Sequence, residues 1–234
     1  MRIAVFSDIH SNLEALECVI SDVKKNNYDK VYFLGDVLSK GPNPRECLEL
    51  IMENDIKMVL GNHELYYLCG CEIDDMISDI EKEHQKWIWS QLDNKHKEYL
   101  SKCSLEINEV FDGIKISFKH FFMKEKYIEY PFYLINVLDN DIESIISSCE
   151  SDLIFIGHEH REFEINCDNK KVVDVGSSGC TSDNKTHYVV VDIKDGKYNI
   201  ESVELFYDRE KFEKVFRESS YPEHDLIGGI FFGL

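Results

Sequence analysis

Four short apolar segments of the chain each end in a cluster of Asp, His or Asn side chains, and this repeated order strongly constrains the possible folds. The apolar segments are residues 2–7, 30–34, 56–60 and 153–156. Their nearly continuous apolar character is typical of strands covered on both faces of a sheet. The polar side chains that follow them are Asp8 and His10, Asp36, Asn62 with His63, and His158 with His160. Because the carboxyl ends of parallel strands meet at one sheet edge, these side chains are expected to lie close together.

The segments between the first three strands carry helix signals. After Ser11 apolar residues recur at helical spacing, and Glu14 stands three residues beyond that serine, as in a capping box. Asn43 and Pro44 are typical residues for the start of a second helix. The predicted inner face of that helix is Cys47, Leu48 and Ile51. The order of elements therefore predicts two successive β-α-β units.

Beyond the two β-α-β units the pattern of residues changes. Residues 74–103 are charged and predicted to be helical, with a break at Asp93, and are expected to cover the core or overhang the site. The predicted buried side chains of this region are Trp87, Ile88 and Leu92. Further along, Asp112 and Asp195 are each followed by glycine and flanked by strand-like segments, which predicts two β-hairpins. A layered α/β sandwich with two sheets is the expected arrangement.

Length and composition favour one globular domain covering residues 1–234, since a chain of 234 residues with 43% hydrophobic residues buries a full core. The net charge of -19 argues against sequence-independent binding of nucleic acid, which requires clustered Lys and Arg. No apolar run is long enough to span a bilayer, and residues 1–7 resemble a strand and not a signal peptide. A cytoplasmic protein without a membrane partner is expected.

The eight cysteines form no CxxC pair, so neither a structural zinc site nor a disulfide framework is indicated. Most of them are expected to be reduced and to pack as small apolar residues.

Taken together, the polar clusters resemble the motifs of the calcineurin-like metallophosphoesterase superfamily, in particular its compact bacterial branch. The superfamily motifs are D-x-H, G-D, G-N-H-D/E, a single His, and G-H-x-H. In this chain they read as Asp8-Ile9-His10, Gly35-Asp36, Gly61-Asn62-His63-Glu64, His120, and Gly157-His158-Glu159-His160. The similarity spans about residues 2–206 and includes the Gly-Ser segment 176–179. It implies a four-layer αββα sandwich of two mixed sheets flanked by helices.

The resemblance also implies two divalent transition-metal ions, with Asp36 bridging them. The first ion would be held by Asp8, His10, Asp36 and His160. The second would be held by Asp36, Asn62, His120 and His158. Imidazole, carboxylate and amide ligands suit Mn, Fe or Zn. The implied reaction is hydrolysis of a phosphomonoester or phosphodiester by attack of a metal-bridging hydroxide, with His63 as the proton donor to the leaving oxygen.

The chain departs from the superfamily pattern at three positions. Ser39 stands where the G-D-x-V-D-R-G form has an aspartate that supports the catalytic histidine, and Lys40 stands where it has a phosphate-binding arginine. Lys40 is expected to bind phosphate through its single ammonium charge, without the bidentate contact that an arginine makes. His120 lies in Lys-His-Phe-Phe and not in a Thr-His-Gly setting. The alternative ligands in that interval are His84 and His96, which fall in the charged helical region and are expected to be solvated.

Several alternatives stay open at the level of sequence. A non-catalytic scaffold would retain this fold for protein binding, whereas the enzymes to consider include a dinucleoside-polyphosphate hydrolase and a protein phosphatase. A nuclease would need a basic groove, which the charge balance disfavours. The partner is therefore expected to be a small-molecule phosphate ester, and the oligomeric state is open.

Aromatic residues within 121–139 either stack on a nucleobase or fill the core. The apolar segment 227–234 either docks on the body or forms a partner surface.

Overall fold

The computed structural model describes residues 1–54, 56–73, 77–123, 131–132 and 139–234. The strands are β1 (Arg2–Phe6), β2 (Lys30–Phe33), β3 (Lys57–Met58), β4 (Glu106–Phe111), β5 (Ile114–Lys119), β6 (Phe122–Met123), β7 (Pro131–Phe132), β8 (Leu153–Ile156), β9 (Glu162–Cys167), β10 (Lys170–Val175), β11 (Lys185–Lys194) and β12 (Lys197–Phe206). The helices are α1 (Leu13–Asn26), α2 (Pro44–Glu53), α3 (Asn62–Cys69), α4 (Asp79–Gln91), α5 (Asn94–Leu100), α6 (Asp139–Ser148), α7 (Arg209–Glu218) and α8 (His224–Ile227). A short 3₁₀ turn covers Cys71–Ile73, and a π-helical turn covers Gly228–Phe232.

The strands form two five-stranded mixed sheets and one two-stranded ribbon of β6 and β7. The first sheet has the order β12-β11-β1-β2-β3, in which β1, β2 and β3 are parallel and β11 is antiparallel to β1. The second sheet has the order β4-β5-β8-β10-β9, in which the three central strands are parallel and both edge strands are antiparallel. The parallel strands of each sheet therefore end at the same edge.

Alternation along β1 divides the core into layers, because successive side chains of a strand point to opposite faces. Ile3 and Val5 pack between the two sheets, together with Phe118 and Phe155 of the second sheet. The neighbouring Phe6 faces a separate apolar cluster that includes the inner faces of α1, α2 and α7. A third cluster lies between the second sheet and α6. The result is the predicted α-β-β-α order of layers.

The expected β-α-β units and hairpins are present, with two local corrections. The helix α1 is capped by Asn12, whose side chain accepts the backbone N–H of Ala15, and not by Ser11. Ser11 has a φ of 57° and its hydroxyl donates to the carbonyl of Val37, so it is not available as a cap. The strand β3 is shorter than the predicted segment 56–60, because Val59 instead forms an isolated parallel bridge with Ser104.

The charged region after α3 contains α4 and α5, which begin at Asp79 and Asn94 on either side of the predicted break. Ile88 of α4 is fully buried, while Trp87 and Leu92 are half-buried, so the predicted inner face of this region is largely correct. Phe121 and Phe122 are buried in the core clusters. Of the other aromatic residues within 121–139, Tyr127, Tyr130 and Tyr133 lie outside the described part of the chain, and Phe132 belongs to β7.

The apolar C-terminal segment docks on the body of the protein. Phe232 is fully buried, and its ring centroid lies 4.8 Å from that of Phe212 and 5.4 Å from that of Phe216, both on α7. Arg209 Nη2 donates a hydrogen bond of 2.6 Å to the carbonyl of Phe232. Ile230 stays 62% exposed. Among the residues described, no helix has both the length and the apolar character that crossing a membrane requires.

Candidate metal centre and active site

The predicted ligands lie on tight loops at the carboxyl ends of the parallel strands. Five of them have positive φ values between 47° and 76°: Asp8, His10, Asp36, His158 and His160. This left-handed backbone region costs energy for residues other than glycine and is typical of functional sites. The loops also hold each other, since the backbone N–H of Asp8 donates to the carbonyl of Gly35 and that of His10 donates to the carbonyl of Asp36, both at 3.0 Å.

Two glycines permit the close approach of carboxylates to these loops. A Cβ atom on Gly61 would lie 2.1 Å from Asp36 Oδ1, and a Cβ atom on Gly157 would lie 2.5 Å from Asp8 Oδ2. Real Cβ atoms essentially never approach so closely, so any larger residue would displace the carboxylates. The glycines before Asn62 and His158 thus permit a close approach of the backbone to the carboxylates.

The first group of ligands meets around Oδ1 of Asp8. The Nε2 atoms of His10 and His160 lie 3.4 Å and 3.3 Å from this oxygen and 2.9 Å from each other. The sulfur of Cys180 belongs to the same group, because its ligand atom and those of the two histidines lie within 4.8 Å of one another. Cys180 was not predicted as a site residue, since a single cysteine after a Gly-Ser segment carries no distinctive signal.

The second group meets around Oδ2 of Asp36. His120 Nε2 lies 3.2 Å from this oxygen, and the ligand atoms of Asp36, His120 and His158 lie within 4.8 Å of one another. Asn62 Oδ1 lies 3.0 Å from His158 Nδ1. His10 Nε2 of the first group lies 3.8 Å from the same Asp36 oxygen. The carboxylate of Asp36 therefore stands between the two groups.

The donor set fits divalent metal ions, and the hydrogen bonds of the outer ring nitrogens support this. His10 Nδ1 lies 3.2 Å from the carbonyl of Leu38, and His120 Nδ1 lies 2.8 Å from the carbonyl of Leu34. A carbonyl can only accept, so each ring carries a proton on Nδ1 and directs Nε2, the nitrogen left to bind a metal ion, toward the carboxylates. This arrangement is common for metal-ligating histidines. In the described part of the chain, the buried Oδ1 of Asp8 and Nε2 of His120 make no well-aligned hydrogen bond.

The pKa values of the clustered side chains reflect the dense charge of the site. Burial alone would raise the pKa values of Asp8 and Asp36, but the neighbouring histidines, chiefly His120, lower both of them. For His120 itself, burial would lower the pKa, but Asp36 and Asp8 raise it to about 9. Burial, reinforced by the nearby charge of His120, lowers the pKa of His158 to about 3. The two carboxylates thus stay ionised and attract positive charge to the site.

His63 begins α3 beside Asp36, and its backbone N–H donates to Asp36 Oδ1 at 3.0 Å. Its side chain is 6% exposed, with Nε2 3.9 Å from Asp36 Oδ2. The ligand atoms of His10, Asp36 and His63 also lie within 4.8 Å of one another, so geometry alone permits either a ligand or a proton donor at His63. Burial lowers the pKa of His63 to about 3, although the carboxylates of Asp36 and Glu81 act in the opposite direction.

Glu64 is a buried support for the second loop. Its Oε2 accepts the backbone N–H of Asp36 at 2.7 Å and of Gly61 at 2.9 Å, and its Oε1 accepts that of Leu38 at 3.1 Å. One carboxylate therefore joins the loops that carry Asp36 and Asn62. The sequence places Glu64 within the G-N-H-E motif but gives no role to its side chain.

A cavity of about 510 Å³ opens over the clustered ligands. Its wall includes the predicted substrate-binding residue Lys40, together with His63, Tyr66, His160 and Phe231. The ammonium of Lys40 lies 2.8 Å from Glu81 Oε2 and 4.7 Å from the ring centroid of Phe231. The C-terminal segment thus contributes an aromatic ring to the cavity, and α4 contributes a carboxylate.

The remaining histidines lie away from the ligand clusters. The expectation that His84 and His96 are solvated was wrong, because both are fully buried. His96 Nδ1 accepts the backbone N–H of Asp93 at the start of α5, and His96 Nε2 contacts Glu49 Oε1. The ring of His84 packs against Tyr221 at a centroid distance of 5.0 Å. His187 Nε2 lies 2.9 Å from the carbonyl oxygen of Val175, and the side chain of His224 is 38% exposed.

A sequence profile of the calcineurin-like phosphoesterase superfamily domain matches residues 1–196. The uncharacterized protein MJ0912 of Methanocaldococcus jannaschii is 34% identical over 233 residues, which cover 92% of each chain. A symmetrical bis(5'-nucleosyl)-tetraphosphatase of Haemophilus ducreyi is 32% identical over 71 residues, which cover 29% of this chain and 26% of that protein. The crystal structure of a metallophosphoesterase from Sphaerobacter thermophilus superposes with a TM-score of 0.77 over 100% of both chains at 22% identity.

The two mixed sheets and their flanking helices are therefore the fold of calcineurin-like metallophosphoesterases. The chain belongs to the calcineurin-like phosphoesterase superfamily.

Proposed function

We propose that the protein is a metal-dependent hydrolase of a phosphomonoester or phosphodiester, acting in the cavity over the ligand clusters. The observation that carries this proposal is the position of Asp36. Its Oδ2 atom lies 3.2 Å from His120 Nε2 and 3.8 Å from His10 Nε2, which belong to different ligand groups. A single carboxylate between two sets of imidazoles is the arrangement that a bridging ligand of two metal ions requires.

Two divalent transition-metal ions, Mn, Fe or Zn, suit these imidazole, carboxylate and amide donors. The first ion is assigned to Asp8, His10, Asp36 and His160. The second ion is assigned to Asp36, Asn62, His120 and His158. When bound, the ions polarise phosphoryl oxygens and lower the pKa of water at neutral pH.

The protein side chains have separate tasks in this proposal. His63 in its imidazolium form gives the Nε2 proton to the leaving oxygen and becomes a neutral ring. Because burial lowers the pKa of this ring to about 3 without substrate, the imidazolium is expected to form when the anionic phosphate ester lies beside it. Lys40 binds a phosphate oxygen from the cavity wall, where its side chain is only 10% exposed. Asp8 and Asp36 stay ionised and hold the positive charge of the site.

A nucleotide is a candidate for the rest of the substrate. The ring of Phe231 lines the cavity, and aromatic rings of this kind stack on nucleobases. The limited similarity to a symmetrical bis(5'-nucleosyl)-tetraphosphatase supports the same candidate. For a nucleoside polyphosphate, the bond cleaved would be a phosphoanhydride and not an ester.

The proposal is tested by assaying a panel of phosphate compounds with Mn, Fe, Zn and Mg. The panel contains nitrophenyl phosphate, bis(nitrophenyl) phosphate, nucleotides, dinucleoside polyphosphates and phosphopeptides. We expect metal-dependent turnover that is lost in Asp36→Asn and kept in the matched surface variant Asp225→Asn, whose side chain is 88% exposed. Absence of turnover with every metal and substrate, in protein that binds metal, would favour the non-catalytic scaffold.

A further inference from the structure

The outer nitrogen of the His63 ring faces two side chains of α4 that stand one helical turn apart. Gln85 Nε2 lies 2.8 Å from His63 Nδ1, and Glu81 Oε1 lies 3.6 Å from the same atom. Gln85 Nε2 also donates to Glu81 Oε1 at 2.9 Å. The spacing of four residues places both side chains on one face of the helix. These side chains therefore form a linked support for the catalytic ring.

The carboxylate of Glu81 occupies the space beside Ser39. The hydroxyl of Ser39 donates to Glu81 Oε1 at 3.4 Å, while Glu81 Oε2 accepts the ammonium of Lys40 at 2.8 Å. In the G-D-x-V-D-R-G form of the motif, position 39 would itself carry the carboxylate that supports the catalytic histidine. Here the longer side chain of Glu81 brings a carboxylate to the same place from α4.

Each of the two supports suits a different protonation state of His63. The amide nitrogen of Gln85 is a donor, so it suits a ring without a proton on Nδ1. The carboxylate of Glu81 is an acceptor and suits a ring with a proton there. Rotation of the amide by half a turn would place the Gln85 oxygen against Glu81 Oε1, so Glu81 also fixes the direction of the amide.

Glu81 is suited to this task because it remains charged. Its side chain is 17% exposed, and burial alone would raise its pKa, but His84, His63 and Lys40 together lower the pKa well below the usual value. A carboxylate in such a sheltered place acts strongly on its neighbours, since little water screens it.

We infer that Glu81 is a positioning residue for His63, supplying from α4 the carboxylate that Ser39 does not provide. Through Gln85 it holds the ring with Nε2 directed toward Asp36, while its second oxygen accepts the ammonium of Lys40. The inference rests on the proposed hydrolysis, because the ring is positioned for that reaction.

The main test compares Glu81→Gln with Glu83→Gln, which makes the same change at an exposed position of the same helix. Turnover is measured on nitrophenyl phosphate and on an alkyl phosphate under single-turnover conditions. For Glu81→Gln we expect a loss in kcat on the order of 10²-fold with the alkyl ester and a smaller loss with the nitrophenyl ester, because misplacing a catalytic group by about 1 Å has that effect. Metal content should not change, and Glu83→Gln should resemble the wild type.

A rescue variant makes the test specific to the position of the carboxylate. Adding Ser39→Asp to Glu81→Gln returns a carboxylate to within reach of His63, so at least a tenfold recovery of the lost kcat is expected. In a His63→Asn background, Glu81→Gln should cost less than about threefold in kcat, because coupled residues are not additive. Equal losses for the two esters, or an unchanged loss in the His63→Asn background, would overturn the inference.

A measurement that does not depend on catalytic turnover distinguishes this inference from the proposed hydrolysis. Ring ¹⁵N correlation spectra of the metal-free protein report how the His63 nitrogens are held. We expect Glu81→Gln to shift or broaden the His63 signals and Glu83→Gln to leave them unchanged. If the wild type hydrolyses no substrate but this pattern holds, the proposed function fails and the positioning role of Glu81 stands. Identical His63 spectra in all three proteins would overturn the role of Glu81 whatever the activity.

Discussion

The rings of His10 and His160 meet at their Nε2 atoms, 2.9 Å apart, although 150 residues separate them in the chain. Both nitrogens also lie within 3.4 Å of Asp8 Oδ1. The Nδ1 atom of His10 is held by the carbonyl of Leu38, so its Nε2 lone pair faces His160. Two such nitrogens can share a proton or a metal ion. A metal ion satisfies both of them and the carboxylate at once, which makes this pair central to the proposed dinuclear site.

Replacing Asp36 by Asn should weaken both metal sites together, because the proposed bridging oxygen would lose its charge. We expect both ions to be lost during dialysis that leaves the wild type loaded, as measured by elemental analysis. The control is Asp225→Asn, which changes an exposed carboxylate. Loss of one ion with full retention of the other would show that Asp36 does not bridge.

Replacing His120 by Gln should remove the second ion while the first stays bound. The His120 ring is fully buried and bonded to the carbonyl of Leu34, so we also expect the free energy of unfolding to fall by about 1–3 kcal/mol. Metal content and thermal unfolding are measured beside His224→Gln, whose side chain is 38% exposed in the wild type. Unchanged metal content in folded His120→Gln would remove His120 from the ligand set.

Replacing His63 by Asn should preserve metal content and slow hydrolysis by roughly 10²- to 10⁴-fold, the usual range for loss of a positioned proton donor. The loss should be much smaller for a nitrophenyl ester than for an alkyl ester, since nitrophenolate departs without protonation. Single-turnover kinetics ensure that chemistry limits both rates. Equal losses would assign His63 to phosphate binding or to water positioning, and loss of metal would make it a ligand.

Asp174 of β10 gives a prediction about pH in the metal-free protein. Burial raises its pKa to about 9, although the backbone N–H of Gly176 acts in the opposite direction. Between pH 3.8, the ordinary pKa of the group, and pH of about 9, Asp174 loses its proton in the unfolded chain but keeps it in the folded chain. The free energy of unfolding therefore falls as pH rises through this range. Asp174→Asn should therefore raise the Tm at pH 8 and change it little near pH 4. A Tm shift of equal size at both pH values would contradict this.

The sequence was sufficient to predict which polar side chains meet at the sheet edge, and the layers of the fold, because those signals are local. An apolar strand followed by Asp, His or Asn is visible within ten residues, and the rule that parallel strands end at one edge supplies the rest. The structure brings the predicted ligands together, as the close contacts of Asp36 with His10 and His120 illustrate. Their role as ligands and the single domain over residues 1–234 stay predictions, as does the cytoplasmic location.

The supports of the site could not be predicted because they depend on tertiary packing. Glu81 and Gln85 look like ordinary residues of a charged helix, and only the position of α4 over Ser39 shows their contacts with the site. The burial of His84 and His96 was missed for the same reason, since the charged composition of their segment conceals its inner face. Cys180 reaches His160 only through the fold of the Gly-Ser segment.

The most direct test of the proposed function is a titration of metal-free protein with Mn²⁺, in which bound metal and phosphate-ester hydrolysis are measured on the same samples. Because Asp36 stands between two ligand groups, we predict that activity appears as the second ion binds and reaches its maximum at about two ions per chain. Full activity at one ion per chain, or no hydrolysis at two, would contradict the account.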